Sequence, residues 1–313
     1  MIPAVLGLDT SNYTTSLAVY DGREGIHVGR LLTVRPGELG LRQSDALFQH
    51  VQRLPQLFGQ LRERGLDQYQ IVAVGASTRP RAVEGSYMPC FLAGASQGEG
   101  LAHVLGVPFF AHSHQQGHLA AAAWSAGRMD LLDRPFLAWH LSGGTTELLL
   151  VEPEGTSVRA EILGGSKDIS AGQLIDRAGV LLGLDFPAGK ALSALAGEAE
   201  GVAPFPVKLD GLSFSLSGME NQVQRRLAEG ETPARVAAFA LETVCHVVLR
   251  ATQVAREAHP GLPVLCSGGV ASNSRLRELL TRACQAVFAQ PQYATDNAMG
   301  TAVLTWRALE GSR

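Results

Sequence analysis

The chain has 313 residues, enough for two packed domains, and its composition, 46% hydrophobic and 18% charged with 35 glycines, is that of a folded protein and excludes a disordered one. A formal net charge of -3 gives no global attraction to nucleic acid, so an RNA substrate would need a local basic patch or helper proteins. No basic region precedes the short apolar run in MIPAVLGLDTS, no apolar stretch is long enough to span a membrane, and four well-separated cysteines suit a reducing compartment; a cytoplasmic protein with no membrane partner is expected.

In chain order, short Val/Leu/Ile runs between turn residues predict strands over 4–8, 15–20, 26–32, 70–75, 135–141, 146–151 and 262–266. Segments of helical period predict helices over 44–64, 91–105, 114–126, 170–183, 233–257, 273–287 and 297–309. The alternation is that of an α/β protein. Two stretches share one layout: LGLDTSNYTTSLAVYDG from Leu6 and WHLSGGTTELLLVEPEG from Trp139. Each reads as strand, Ser-containing turn, Thr-Thr pair and second strand, with Ser11 matching Ser142 at an offset of 131 residues. A duplicated β-turn-β unit is implied.

Turns rich in Gly, Ser and Thr gather backbone N–H groups and hydroxyls into an anion cradle. Asp9, Thr10 and Ser11 form one candidate phosphate turn, and Leu141, Ser142, Gly143, Gly144 and Thr145 a second. Both also suit ordinary hairpins, in which Gly and Asn supply positive φ. A third glycine turn, Ser267-Gly268-Gly269, follows a buried strand and precedes a helix started by Ser272 or Asn273, a place for a phosphate, a ribose or a simple cap.

Three of nine histidines fall in AHSHQQGH. On a helix His114 and His118 stand four apart on one face and suit one ion, with His112 outside the pair. The third ligand must come from a distant segment, and Asp296 in YATDNAMG, at the start of the last helix, is the candidate. A His-Glu-x-x-His protease needs a glutamate where Gln115 stands, which argues against proteolysis. His27, His103, His140 and His246 read as surface or packed residues.

Taken together, the strand ending in DTS, HSHQQGH, LSGGTTE, AGQLIDRAGVLLGLDFPAG, LSFSLSG, SGGVASNSRLR and TDN resemble, in that order and over nearly the whole chain, the TsaD family of tRNA threonylcarbamoyl transferases. The resemblance implies an actin/sugar-kinase/Hsp70-like ATPase fold, with two related ribonuclease H-like lobes around a nucleotide cleft. The lobes are expected at 1–130 and 131–313, the second with a helical insertion around 165–230. It implies one divalent metal on His114, His118 and Asp296, with Fe or Zn suiting those ligands, and ATP or an acyl-adenylate held by Leu141 to Thr145, Asp176, Gly189 and Asn273.

The implied reaction moves a threonylcarbamoyl group from threonylcarbamoyl-AMP to the exocyclic amine of the adenosine beside the anticodon of tRNA. Helper proteins and a homo- or hetero-oligomer are compatible with that reading. The chain departs from the family pattern at Tyr13-Thr14, where an Asp-Glu pair is usual, at Thr145, at Glu220, in RPRAVEGSYMP, in KDISAGQ, and just before His50. The missing first-turn carboxylates leave open an alternative, a nucleotide- and metal-binding regulatory relative with altered chemistry.

Overall fold

The computed structural model describes residues 1–11, 13–34 and 41–312; Asn12 of the first candidate turn lies outside them. The chain divides into two compact units, the first made of residues 1–134, 152–159 and 295–313 and the second of 135–151 and 160–294. No helix among the described residues is long and apolar enough to cross a membrane.

The first unit opens with β1 (Ile2–Thr10), β2 (Thr14–Tyr20) and β3 (Gly25–Leu31), then α1 (Gln43–Glu63), β4 (Tyr69–Arg79), α2 (Phe91–Leu105), β5 (Phe109–Ser113) and α3 (His114–Ser125). Its sheet has the order β3-β2-β1-β4-β5, with β1, β4 and β5 parallel and β2 antiparallel to β1. Seven consecutive residues of β1 are buried, as a central strand covered on both faces requires. One cover is α1, which presents Ala46, His50, Leu54, Leu57 and Leu61 at helical spacing and packs its leucines on Leu6, Leu8, Leu17 and Val19.

In the second unit come β6 (Phe136–Leu141), most of β7 (Thr146–Glu154) and of β8 (Ser157–Ser166), whose joined ends over 152–159 belong to the first unit, then α4 (Ala171–Leu181), α5 (Gly189–Ala196), β9 (Leu209–Asp210), β10 (Ser213–Phe214), α6 (Gly218–Ala228), α7 (Pro233–Ala258), β11 (Val264–Ser267), α8 (Ser274–Cys284) and β12 (Val287–Phe288). Its sheet runs β12-β11-β6-β7-β8-β10-β9. From the other edge, the order β8-β7-β6-β11-β12 repeats β3-β2-β1-β4-β5 of the first unit. The hairpins also share a register: Thr10 pairs with Thr15 and Leu141 with Thr146, each 131 residues apart as in the sequence repeat. The long helix α7 supplies much of this unit's core, and Trp139 Nε1 donates to Thr252 Oγ1 on it at 2.8 Å.

The last helix, α9 (Met299–Gly311), packs with the first unit, although the lobe boundary expected at 130/131 assigned it to the second. Glycines explain why. A methyl group on Gly7 would come within 2.7 Å of Ala302 N, and one on Gly300 would run into the carbonyl oxygen of Gly117 on α3. Behind this contact Ser77 Oγ meets Thr301 Oγ1 at 3.0 Å, and His112 Nε2 meets Thr305 Oγ1 at 3.2 Å. The insertion over 165–230 is not purely helical: besides α4, α5 and α6 it contains β9 and β10, and β10 extends the sheet by pairing in parallel with β8.

Candidate metal centre and nucleotide turns

The residues of HSHQQGH divide the work between structure and chemistry. Ser113 caps α3: its Oγ accepts from Gln116 N at 3.2 Å, and its N–H donates to Gln116 Oε1 at 2.9 Å. Gln116 also donates through Nε2 to Val158 O, and Gly117 gives α9 its close approach. His112 is buried behind the helix, where desolvation pulls its pKa down to about 4 and keeps it neutral. That leaves His114 and His118, whose rings lie 4.3 Å apart on the face α3 turns to the loop before α9.

Asp296 sits in that loop, three residues ahead of α9. Asn297 shapes the loop, donating to Thr295 O at 2.7 Å and accepting from Met299 N at 3.1 Å. Asp296 Oδ1 lies 3.4 Å from His114 Nε2 and 3.2 Å from His118 Nε2. Two donors bound to one ion at about 2.0–2.2 Å stand about 3 to 3.5 Å apart, so the three side chains fit a transition-metal ion. All three are part-buried, enclosed yet open to a ligand.

A fourth residue completes the arrangement. Asp9, at the end of β1 and 2% exposed, accepts the Nδ1–H of His114 at 2.8 Å. A carboxylate can only accept, so Nδ1 carries a proton, and once Nε2 gives up its own proton its lone pair is the one left for a metal. Burial alone would lower the His114 pKa; the charge of Asp9 and the bonds to Asp296 and Asp9 outweigh it and hold it up at about 10. Burial would likewise raise Asp296, but the bonds from His114 and His118 hold its carboxyl well below the usual range. The electrostatics therefore favour positive charge at the point these side chains share.

The sequence reading placed Asp9 in a phosphate turn with Thr10 and Ser11, and the structure separates the three. Asp9 serves His114. Thr10 Oγ1 donates to Cys90 O at 3.0 Å and accepts from Gly94 N at 3.0 Å, tying β1 to the start of α2. Ser11 is buried, and its hydroxyl has no partner among the described residues.

In the second unit, three glycine segments meet. A methyl group on Gly172, at the start of α4, would come within 2.6 Å of Gly143 Cα, and one on Gly268 would strike the carbonyl of Leu141. Ser142 Oγ accepts from Gly144 N at 3.3 Å and Thr145 N at 3.0 Å, so those two N–H groups are spent on the turn itself. Asp176 Oδ1 accepts from Ala188 N at 2.8 Å, one residue before Gly189 opens α5. Asn273 caps α8 by accepting from Leu276 N at 3.0 Å, and its Nδ2 donates to Ser193 Oγ of α5 at 2.7 Å. Within this unit, then, Asp176, Gly189 and Asn273 gather around α5.

Four of these glycines have no internal reason to be glycine. Gly143, Gly144 and Gly269 have neither positive φ nor a heavy atom within 4 Å of an added methyl group, and Gly189 would meet only Ile175 Cγ2 at 4.0 Å. The bare backbone there leaves room for something outside the chain.

Comparison with known proteins agrees with this fold. Solved structures covering nearly the whole chain include component A of (R)-2-hydroxyglutaryl-CoA dehydratase from Acidaminococcus fermentans, at TM-score 0.57, 15% identity and 99% coverage of both chains. A ROK family glucokinase from Streptomyces griseus, in complex with glucose and AMPPNP, gives TM-score 0.52 and 13% identity, covering 97% of this chain and 99% of its own. The fold is that of the actin/sugar-kinase/Hsp70-like ATPases. In sequence, the chain is 33% identical over 311 residues to a tRNA N6-adenosine threonylcarbamoyltransferase of Thermus thermophilus, covering 97% of this chain and 92% of the relative. The TsaD pattern, described as tRNA N6-adenosine threonylcarbamoyltransferase, matches residues 39–303, and the chain belongs to the TsaD family.

Proposed function

We propose that this chain transfers a threonylcarbamoyl group from threonylcarbamoyl-AMP to the exocyclic amine of the adenosine next to the anticodon in tRNA. The observation that carries this reading is the convergence of His114, His118 and Asp296 in a chain of a transferase family. Bound to those three atoms, a divalent ion, Fe or Zn by the preference of two imidazoles and a carboxylate, supplies Lewis acidity to the acyl carbonyl. Asp9 fixes the tautomer of His114, and the capped first turn of α3 fixes its position.

The open glycines at 143, 144, 189 and 269 support binding of the donor's nucleotide, or of ATP, to the second unit. Asp176 has one carboxylate oxygen committed to Ala188 N and the other to offer a ribose hydroxyl. Amine attack on an activated acyl group needs positioning and charge stabilisation rather than a covalent enzyme intermediate. With a net charge of -3, capture of tRNA is assigned to helper proteins, and four buried free thiols suit a cytoplasmic location. Neither the site nor the relatives favour the regulatory alternative.

The binding step has a direct test. Gly143→Val fills space the protein does not use, so it should leave the melting temperature nearly unchanged yet weaken threonylcarbamoyl-AMP binding at least about tenfold in calorimetry. Wild-type affinity in Gly143→Val would contradict the assignment of that turn.

A further inference from the structure

Arg79 is the last residue of β4. In the parallel pair with β5 it stands opposite Ser113, the residue just before His114, and a register shift between Ser77 and Arg79 interrupts the alternation there. Such irregularities beside active sites re-aim the side chain that follows. The next residue locks the position: Pro80 O accepts from Gln115 N, in the first turn of α3, at 3.0 Å. Beyond it the loop closes on itself, Ser86 Oγ accepting from Arg81 N at 3.0 Å and Ser86 N donating to Val83 O at 3.2 Å. The Arg79 backbone is thus held against the helix that carries both histidines.

Its guanidinium is exposed and makes no hydrogen bond or ion pair among the described residues. Some arginines of the chain commit their charge internally, as Arg177 does to Glu220 and Arg307 to Asp133. The neighbourhood Arg79 borders is acidic, since Asp9 and Asp296 both face His114. A substrate carboxylate arriving there meets the negative charges of Asp9 and Asp296, and a cation beside it offsets that repulsion. An arginine fork matches a carboxylate with two parallel charge-assisted hydrogen bonds.

We propose that Arg79 recognises the free carboxylate of the threonyl part of the transferred group and holds it beside His114, His118 and Asp296. This rests on the transfer reading above. An RNA backbone is held by several cations spread over a surface. Here the other arginine of the segment, Arg81, is part-buried and already partnered, which leaves Arg79 as its exposed arginine.

The test is calorimetry on the metal-loaded full chain with two probes, threonylcarbamoyl-AMP and its analogue with the carboxylate converted to a carboxamide. Wild type should prefer the carboxylate by about 10- to 100-fold. Arg79→Ala should bind both probes alike at the amide's affinity, and Arg79→Lys, a point charge without the fork, should keep only part of the preference. Because the side chain is exposed, both variants should melt with wild type. An Arg79→Ala protein that keeps the full preference overturns the proposal, as does a wild type that binds both probes equally. If Arg79→Ala loses affinity for unmodified tRNA alone and still prefers the carboxylate, the residue serves the RNA backbone and the proposal is wrong. If wild type binds neither probe, the transfer reading itself fails, and this proposal with it.

Discussion

At the scale of single residues, the carboxylate outside the ligand cluster supports the site as well as the one within it. Asp9 accepts from His114 Nδ1 and thereby presents Nε2 to Asp296. Loss of such an orienting partner typically costs about 10- to 100-fold in metal affinity, so Asp9→Ala should weaken Fe or Zn binding by that factor in competition with a chelator. An unchanged affinity would show that His114 needs no such support. The pair His114 and His118 was legible in the sequence, because four residues make one turn of a helix face, and Asp296 was legible as a carboxylate at the start of the last helix. Asp9 was visible only as part of a DTS turn, since nothing in a linear string says that the end of β1 meets the start of α3. His112 shows the converse: it shares the motif, but its ring is spent on Thr305 in the core.

At the scale of elements, two glycines set the geometry. Gly117 on α3 and Gly300 on α9 let the helices touch backbone to backbone, which brings the loop of Asp296 to the histidines. Gly300→Ala should force the pair apart, destabilising the protein by about 1–3 kcal/mol and lowering metal affinity. As a matched control, Gly100→Ala on the open face of α2 meets nothing within 4 Å and should stabilise by about 0.5–1 kcal/mol. Denaturant melts and chelator competition on the two variants check both signs; equal behaviour would contradict the packing argument. The long periodic elements were readable from sequence, α1, α2, α3 and α7 among them. The strands missed were β5, five residues between a Val-Pro turn and a helix cap, β8, whose exposed Arg159, Glu161 and Ile162 blur the alternation, and β9, β10 and β12, two residues each. Such elements are fixed by their neighbours in the sheet rather than by their own pattern.

At the scale of the whole molecule, one layout is used twice. Both sheets carry the same five-strand order, and the 131-residue offset seen between Ser11 and Ser142 recurs in the strand registers. The copies have diverged in chemistry: the first places carboxylate and imidazole at its strand ends, the second open glycines. The return of α9 to the first unit was not legible, because sequence proximity favours the nearer lobe and tertiary contacts, those of Gly7, Gly117 and Gly300 among them, show otherwise. Threonylcarbamoyl transfer is assigned to the His114, His118 and Asp296 cluster of the first copy. The most direct measurement supplies threonylcarbamoyl-AMP, unmodified tRNA and the helper proteins to chelator-stripped protein, with and without added Fe or Zn, and analyses the nucleosides by mass spectrometry. Threonylcarbamoyladenosine should form with wild type only when metal is restored, and should fall at least about a hundredfold with His114→Ala; equal product from stripped protein or from His114→Ala, or no product from fully loaded wild type, would contradict the account.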